Sequence, residues 1–289
     1  MTAYLFPNLD KKNCYEYTIE ACSVLKKSSV RLIMDECYRE QFRALDSVTF
    51  LPGAQCIPEC DVVIVIGGDG TILKCAEAAA AGRKPILGIN CGRLGFMASL
   101  EYEDLHLLSE LPKGRYNVIP RMMLKVTLDG RSYTLLNDVV ISKADDCKIA
   151  DFKVMKDGRT LSYLRADGVI FSTATGSTAY SMSAGGPIIE PDMQCIEFTQ
   201  ICAHSLFART MILSHTSDIK VILHCKPGCH AHVNVDGNII GRISEGAEIS
   251  VCKSELMLDI IDIKGGSFFN SVNEKLMQPL KGMSGDSIV

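Results

Sequence analysis

The stretch Ile64-Val65-Ile66-Gly67-Gly68-Asp69-Gly70-Thr71 decides the fold of this chain, because a buried strand runs directly into a glycine-rich turn that carries an acid. Residues 61–66 form a nearly continuous β-branched run, which is typical of a parallel strand covered on both faces. After Thr71 the chain is rich in helix formers until Gly82, so a helix is predicted there. A strand, a glycine turn and a helix in this order place backbone N–H groups at a helix N-terminus, where anionic ligands bind.

The glycines and the acid of this turn indicate different parts of the chemistry. Glycine has no Cβ, so Gly67, Gly68 and Gly70 allow positive φ angles and a close approach to phosphate. A glycine-rich turn is a weak signal when it stands alone. A carboxylate beside a polyphosphate is repelled unless it binds a metal ion or accepts a proton, so Asp69 favours nucleotide or phosphoryl chemistry over passive phosphate binding.

The composition excludes several classes of protein. The chain has 289 residues, enough for one large or two ordinary domains, and its net charge of −4 does not favour non-specific binding to nucleic acid or membranes. The N-terminal residues lack the pattern of a signal peptide, and no apolar run reaches membrane-spanning length. Thirteen cysteines without a regular framework fit a reducing cytoplasm, so we expect a cytoplasmic protein.

A cluster of cysteine and histidine residues near position 228 contains metal-ligand residue types. Its spacing is not that of C-x-x-C, and Lys226-Pro227-Gly228 is typical of a hairpin turn between alternating strands. We therefore expect a hairpin and no protein-bound metal there. Cys56 and Cys60 are expected to lie in a loop with a structural role.

Two domains are predicted from a change in pattern near residue 118. Strands at residues 3–6, 30–34, 61–66 and 85–90 alternate with helices, one of them over residues 10–27, which predicts an α/β Rossmann-like domain with a parallel sheet over residues 1–118. Within residues 119–266, the Asp-Gly dipeptides at 129–130, 157–158 and 236–237 lie between apolar or alternating runs, which predicts a β-rich, mostly antiparallel domain. The tail, residues 267–289, is expected to pack back on the first domain.

A second unusual segment spans residues 165–187. The apolar residues 169–171 lead into a run of small and hydroxyl side chains, which suits a flat ligand that lies against the backbone. The alternative is a surface loop rich in serine and threonine. Two enzyme patterns fail on spacing: Tyr180 has Ala184 rather than lysine four residues later, and Ser177 does not lie in a G-x-S-x-G motif.

Together these motifs resemble those of the NAD kinases. The resemblance rests on six segments in the family's order, and the 172–180 block is the most specific of them: 67–71 (Gly-Gly-Asp-Gly-Thr), 90–96, 136–141 with Asn137-Asp138, Asp167-Gly168 with 172–180, His204-Ser205-Leu206 with Arg209, and Val235-Asp236-Gly237. The first motif by itself is shared with lipid kinases and resembles one in phosphofructokinases.

The resemblance implies transfer of the γ-phosphoryl group of ATP, or of another phosphate donor, to the 2′-hydroxyl of the adenosine ribose of NAD, which makes NADP. It implies that Asp69 accepts the proton of that hydroxyl and that Mg²⁺, or another divalent cation, accompanies ATP. The implied NAD contacts are Asp69, Gly70, Asn137, Asp138, Lys148, Arg165, Asp167, Thr178, Ala179, Tyr180, Ser183 and Asn238. The implied phosphate and ATP contacts are Gly67, Gly68, Gly70, Thr71 and Lys74.

The family also implies a homodimer or homotetramer. Two roles remain open for Asp69, namely proton acceptor with orientation of the hydroxyl, and ligation of Mg²⁺. Lys74 is either a phosphate contact or part of a solvated helix face, and Arg93 either contacts phosphate or stabilises its turn. The alternative functions are a lipid or sugar kinase with the same glycine motif, and a non-catalytic NAD-binding protein.

Overall fold

The computed structural model of the chain describes residues 1–92, 95–98, 100–145, 147–205, 208–265 and 268–277. The chain divides into two compact units. The first unit comprises Met1–Ile72, Pro85–Val118 and the described residues from Ile260 onward. The second unit comprises Leu73–Lys84 and Ile119–Asp259.

The sheet of the first unit is built from parallel strands. Its elements are β1 (Thr2–Pro7), α1 (Cys14–Lys27), β2 (Arg31–Asp35), β3 (Val48–Leu51), α2 (Gly53–Glu59), β4 (Val62–Gly67), α3 (Asp69–Ala81, of which Leu73 onward belongs to the second unit) and β5 (Ile86–Asn90), followed by a 3₁₀ helix over Tyr102–Lys113. The strand order is β3-β2-β1-β4-β5, and each neighbouring pair is parallel. This confirms the α/β fold predicted for the first part of the chain.

Local details of this sheet differ from the prediction. The first helix begins at Cys14 rather than at residue 10, because Asn13 has a left-handed conformation with φ 68° and residues 8–13 form a loop. Strand β3 and helix α2 are short and carry no strong periodicity, so neither was predicted from local sequence. Cys56 was expected in a loop but lies buried in α2, so that expectation was wrong.

The core of the first unit forms where the central strands meet the helices. Every residue of β4 is buried, as its β-branched run predicts. Leu5, Ile64 and Ile66 from the strands pack in one cluster with Leu25 of α1. This buried framework fixes the carboxyl ends of β1 and β4 side by side.

The second unit consists mainly of antiparallel strands, which confirms the predicted β-rich part. Its strands are β6 (Asn117–Leu128, from Ile119 onward), β7 (Arg131–Leu135), β8 (Asp138–Lys143), β9 (Ala150–Lys156), β10 (Arg159–Ala166), β11 (Gly168–Ser172), β12 (Cys195–Ile201), β13 (Met211–Ser214), β14 (Ile219–His224), β15 (Ala231–Val235), β16 (Asn238–Ile243) and β17 (Glu248–Asp262, as far as Asp259). The short helix α4 (Tyr180–Ser183) follows a 3₁₀ turn over Thr175–Thr178, and α5 spans Phe268–Met277 in the first unit. One sheet has the order β13-β12-β11-β8-β15-β16, and β10, β9, β14 and β17 pair in that order in a second sheet.

Turn chemistry fixes three of the hairpins. In the Asp-Gly dipeptides at 129–130, 157–158 and 236–237 both residues have positive φ angles, and each of these dipeptides joins two paired antiparallel strands, as predicted. The turn at Lys226-Pro227-Gly228 is present, with the N–H of Cys229 donating to the carbonyl of Lys226 at 3.0 Å. The hairpin predicted there was wrong, because β14 and β15 belong to different sheets.

The core of the second unit is continuous and aromatic at its centre. Phe171 of β11 and Phe198 of β12 stack with ring centroids 5.0 Å apart, and both are fully buried. Over the described part of the chain, no helix has the length and apolar character needed to cross a bilayer.

Candidate functional site

The glycine turn of the first unit is closed by its own hydrogen bonds. The N–H groups of Thr71 and Ile72 donate to the carbonyl of Gly68 at 2.7 and 3.2 Å, and the N–H of Gly68 donates to the Thr71 hydroxyl at 3.4 Å. A Cβ at Gly67 would overlap the Thr71 side chain. Neither this glycine nor the two that follow it in the motif has a positive φ angle, so the turn does not use the left-handed conformation that glycine allows. Close packing is the reason for glycine at position 67.

Asp69 opens α3, and its carboxylate is held by the loop that follows β5. Its Oδ2 accepts the N–H of Phe96 at 2.7 Å, and its Oδ1 accepts the N–H groups of Met97 and Ala98 at 3.2 and 3.3 Å. A Cβ at Gly95 would collide with this carboxylate, which explains glycine at that position. A carboxylate has about four lone-pair sites, so Oδ2 retains one acceptor site for a further donor.

The other candidate phosphate contacts of the first turns of α3 differ in exposure. Thr71 is buried, and its hydroxyl also accepts the side-chain N–H of Asn8 at 3.2 Å, so it holds the turn together. Gly70 is exposed, and a Cβ there would meet open space. Lys74 is exposed in the second turn of α3. Arg93 lies outside the described residues.

A pocket of about 380 Å³ lies in the second unit and collects several candidate NAD contacts. Its lining includes Asn137, Asp138, Ala179, Tyr180 and Asp236. Its volume is in the range of pockets that bind small ligands.

Asn137 and Asp138 line this pocket, and each has an unusual polar group. The side-chain oxygen of Asn137 is buried and has no hydrogen-bond partner among the described residues. Burial and, to a lesser extent, the charge of Asp236 together raise the pKa of Asp138 to about 7, although an N–H donated by Tyr180 lowers it. A buried acceptor without a donor and a carboxyl that titrates near neutrality are features of ligand sites rather than of packing.

Asp236 is the fixed anion of this pocket. Its carboxylate accepts the N–H groups of Leu136, Asn137 and Asp138 at 2.8, 2.8 and 3.1 Å. Burial raises its pKa, whereas these three hydrogen bonds favour its ionised form.

The 172–186 segment carries the remaining pocket contacts and rests on a polar network that the sequence analysis missed. Glu197 is fully buried and accepts the hydroxyl of Ser172 at 2.7 Å and that of Thr199 at 3.3 Å. Thr199 in turn shares a hydrogen bond with Ser181 of α4 at 2.7 Å. Burial raises the pKa of Glu197. The one signal in the sequence was a single acid inside the otherwise apolar start of β12.

The hydroxyl and aromatic residues of this segment stand at its surface. Thr178 is half-buried and donates to the carbonyl of Thr175 at 3.3 Å, while Ser183 is exposed. Tyr180 is 46% exposed, so its ring is available to a ligand.

Arg165 belongs to a different cavity of the second unit. Its guanidinium forms a bidentate pair with Asp151, with N–O distances of 2.8 and 3.0 Å, which lowers the pKa of that carboxyl. Together with His204 and Arg209 it lines a cavity of about 710 Å³ that shares no lining residue with the first pocket. The structure of this unit therefore does not bring Arg165 together with Asn137.

Three further candidate NAD contacts line neither of these two cavities. Asp167 forms an ion pair with Lys143, with an N–O distance of 3.0 Å. Lys148 is exposed, and its carbonyl accepts from Lys143 at 3.1 Å. Asn238 is exposed at the start of β16, next to Gly237 of the pocket lining, and its amide donates to the carbonyl of Asp236 at 3.4 Å.

The cysteine and histidine cluster near position 228 has local partners. Cys225 donates through sulfur to the carbonyl of Cys229 at 3.3 Å, and His224 contacts Glu245 at 3.0 Å. The described residues contain no group of three histidine, cysteine or acidic side chains arranged to hold a metal ion.

Comparison with known proteins assigns both parts of the chain to one family. The model of the ATP-NAD kinase N-terminal domain matches residues 4–116, and that of the ATP-NAD kinase C-terminal domain matches residues 136–263. The chain is 32% identical to the NAD kinase of Moorella thermoacetica, over 94% of this chain and 88% of that protein. It is 36% identical to an NAD kinase of Clostridium botulinum, over 93% of this chain and 90% of that protein.

Solved structures share the fold. The crystal structure of yeast NADH kinase complexed with NADH matches with a TM-score of 0.83 at 23% identity, over all of this chain and 90% of the other. An NAD kinase from Archaeoglobus fulgidus in complex with ATP matches with a TM-score of 0.71 at 24% identity, over 96% of this chain and 98% of the other. At these identities the structural likeness concerns the fold.

Proposed function

The chain belongs to the ATP-NAD kinase family, and from this we infer that it transfers the γ-phosphoryl group of ATP to the 2′-hydroxyl of the adenosine ribose of NAD, forming NADP. The observation that carries this inference is that the family matches extend over both parts of the chain, residues 4–116 and 136–263. A lipid or sugar kinase that shares only the glycine motif leaves the second match unexplained.

We assign to Asp69 the orientation of the acceptor hydroxyl. Both of its oxygens are fixed by backbone N–H groups, and the remaining lone pair of Oδ2 accepts a hydrogen bond from the 2′-hydroxyl. The hydroxyl oxygen then forms a bond to the γ-phosphorus as the bond to the β-phosphate oxygen breaks. The hydroxyl proton passes to the carboxylate, and ADP leaves. Such a transfer depends on alignment and charge neutralisation more than on covalent chemistry.

We assign the phosphate chain of the donor to the glycine turn. The first N–H groups of a helix have no acceptor within that helix, so Asp69 and Gly70 supply donors there. Gly67 and Gly68 allow the close packing of the turn, Thr71 fixes it, and the exposed Lys74 supplies a positive charge.

A divalent cation, which we take to be Mg²⁺, enters with the donor. The described residues offer no three-ligand cluster, so the donor's phosphates and water supply most of its ligands, which is usual for Mg²⁺. When bound, it neutralises charge on the phosphates during transfer.

We assign the adenosine half of NAD to the pocket of the second unit. The unpartnered oxygen of Asn137 accepts a hydrogen bond from the ligand, and Asp138 contacts it as a carboxyl that titrates near neutral pH. The ring of Tyr180 offers a stacking surface, and Leu73 contributes to the lining. The other family-implied contacts are Gly70, Lys148, Arg165, Asp167, Thr178, Ala179, Ser183 and Asn238.

The domain division and the oligomeric state that we propose are those implied by the same family. We propose an α/β domain over residues 1–118 that includes the tail 267–289, and an NAD-binding domain over residues 119–266. Phe268 of the tail lies 6.1 Å from Phe96 between ring centroids, which supports this division. We also propose a homodimer or homotetramer in the cytoplasm, where the thirteen free cysteines suit reducing conditions. Light scattering of the purified chain tests the oligomer.

The direct test measures NADP formation from NAD with ATP and Mg²⁺, with polyphosphate as a second donor and diacylglycerol or fructose 6-phosphate as alternative acceptors. We expect NADP and no phosphorylated lipid or sugar. Saturable NAD binding without NADP from any donor would instead support a non-catalytic NAD-binding protein.

The variant Asp69→Asn tests whether Asp69 orients the acceptor hydroxyl in this reaction. The amide retains the shape of the side chain but supplies neither the full acceptor pattern nor the charge. We expect kcat to fall by about 10³-fold or more, with NAD still bound. The exposed Asp192→Asn variant is the matched control, and near-normal kcat in Asp69→Asn excludes the assignment.

A further inference from the structure

The topology of the first unit points to a second wall for the phosphate-donor site. From β1 the chain proceeds through α1 to β2 on one side of the sheet, whereas β4 pairs with β1 on the other side. Open α/β sheets bind ligands at such a switch point, outside the carboxyl ends of the two diverging strands. The loop after β1 and the glycine turn after β4 both begin there.

Hydrogen bonds join these two loops directly. The N–H of Asn8 donates to the carbonyl of Ile66 at 2.8 Å, and its side-chain amide donates to the hydroxyl of Thr71 at 3.2 Å. The N–H of Lys11 donates to the carbonyl of Asn8 at 3.1 Å, which turns the loop back over the glycine motif. The position of Lys11 is thus set by the same residues that close the turn.

The ammonium group of Lys11 stands at the backbone of the glycine turn. A Cβ at Gly68 would lie 2.5 Å from Lys11 Nζ, so the absence of a side chain at that position leaves room for this ammonium group. Lys11 is exposed and forms no ion pair with any residue that the structure describes. A lysine held beside helix-terminal N–H groups, with its charge not neutralised by a carboxylate, is suited to phosphate.

We propose that Lys11 binds the polyphosphate chain of the phosphate donor, opposite the N–H groups at the start of α3. The inference rests on the proposed function for the identity of the donor and adds a residue that the glycine motif does not contain. Lys11 comes from the loop after β1, 56 positions before the first glycine of the motif, so it acts as an electrostatic contact that the sheet topology supplies. It contacts the donor and leaves NAD recognition unchanged.

The neighbouring lysine provides a matched control for the test. Lys12 has the same charge and is also exposed, but the contact with Gly68 belongs to Lys11. We compare Lys11→Met, Lys11→Arg and Lys12→Met with the unaltered protein by steady-state kinetics. We expect KM for ATP to rise about tenfold in Lys11→Met, equivalent to about 1.4 kcal/mol, with KM for NAD unchanged. Lys11→Arg should retain most of the affinity, and Lys12→Met should stay within about twofold.

Binding of inorganic tripolyphosphate, measured by calorimetry, provides a readout that does not depend on catalysis. We expect its Kd to rise about tenfold in Lys11→Met and little in Lys12→Met, with a weaker salt dependence in the Lys11 variant. Equal effects of the two methionine variants, or an unchanged Kd and KM for ATP in Lys11→Met, overturn the role of Lys11 while the NAD kinase assignment stands. If the unaltered protein makes no NADP, the proposed function fails, and the tripolyphosphate comparison still decides the role of Lys11. A thermal melt of each variant identifies any loss of fold, and Lys11→Gln then repeats the binding measurement.

Discussion

Replacing Asp138 by asparagine should remove a pH dependence from the stability of the folded protein. The pKa of Asp138 is raised from 3.8 to about 7 by burial and by the charge of Asp236. Between about pH 4 and pH 7 the folded chain therefore holds a proton that the unfolded chain has released, so the free energy of unfolding falls as pH rises through this window. About three pKa units at 1.36 kcal/mol each give a loss of about 4 kcal/mol. This value is an upper bound for the substitution, because removing Asp138 also relieves Asp236.

The assay is urea unfolding of the protein without ligand at pH values from about 5 to 8.5. We expect Asp138→Asn to gain up to about 3 kcal/mol relative to the unaltered protein across this range, since asparagine has no proton to lose and about two of the three pKa units lie above pH 5. The exposed Asp192→Asn variant should show no such gain and serves as the control. Parallel curves for the unaltered protein and Asp138→Asn would show that the carboxyl is already ionised at low pH, and the reasoning from burial would be refuted.

Two further predictions concern glycines near the turn. Gly67→Ala should lower the free energy of unfolding by about 1–3 kcal/mol, because the added Cβ overlaps the Thr71 side chain. Gly70→Ala, whose Cβ meets open space, should change it by less than about 1 kcal/mol. Thermal melts measure both variants, and equal losses would contradict the packing argument. Gly95→Ala should reduce kcat with little change in Kd for NAD, since the new methyl group displaces the Asp69 carboxylate from its backbone donors, and an unchanged kcat contradicts that link.

Local sequence patterns predicted the parts of the fold that depend on neighbours in the chain. The β-branched run of β4 predicted a fully buried strand because burial on both faces leaves no polar alternation. The Asp-Gly dipeptides at 129–130, 157–158 and 236–237 predicted hairpins because few other pairs tolerate two successive positive φ angles. The turn at residues 226–228 had equally good local chemistry, yet its flanking strands entered different sheets, and only tertiary packing decides that choice.

Contacts between distant parts of the sequence could not be predicted from spacing. The donors to Asp69 are Phe96, Met97 and Ala98, which lie 27 to 29 positions away and act through backbone N–H groups that carry no residue signature. Lys11 reaches the glycine turn because β1 pairs with β4. The sequence showed it as one of two adjacent lysines in a polar stretch.

The hydrogen bonds of Asp69 bear on the two roles that the sequence left open for it. A carboxylate that ligates a metal ion needs an oxygen directed at the metal, whereas Oδ1 already accepts two N–H groups and Oδ2 accepts one. One lone pair remains on Oδ2, which is enough for a single hydroxyl donor; a monodentate Mg²⁺ would have to compete with the hydroxyl for that same lone pair. The loop that holds the carboxylate also prevents it from rotating, so the acceptor hydroxyl meets a fixed oxygen. For a reaction that gains most from alignment, this rigidity favours orientation of the hydroxyl as the main contribution of Asp69.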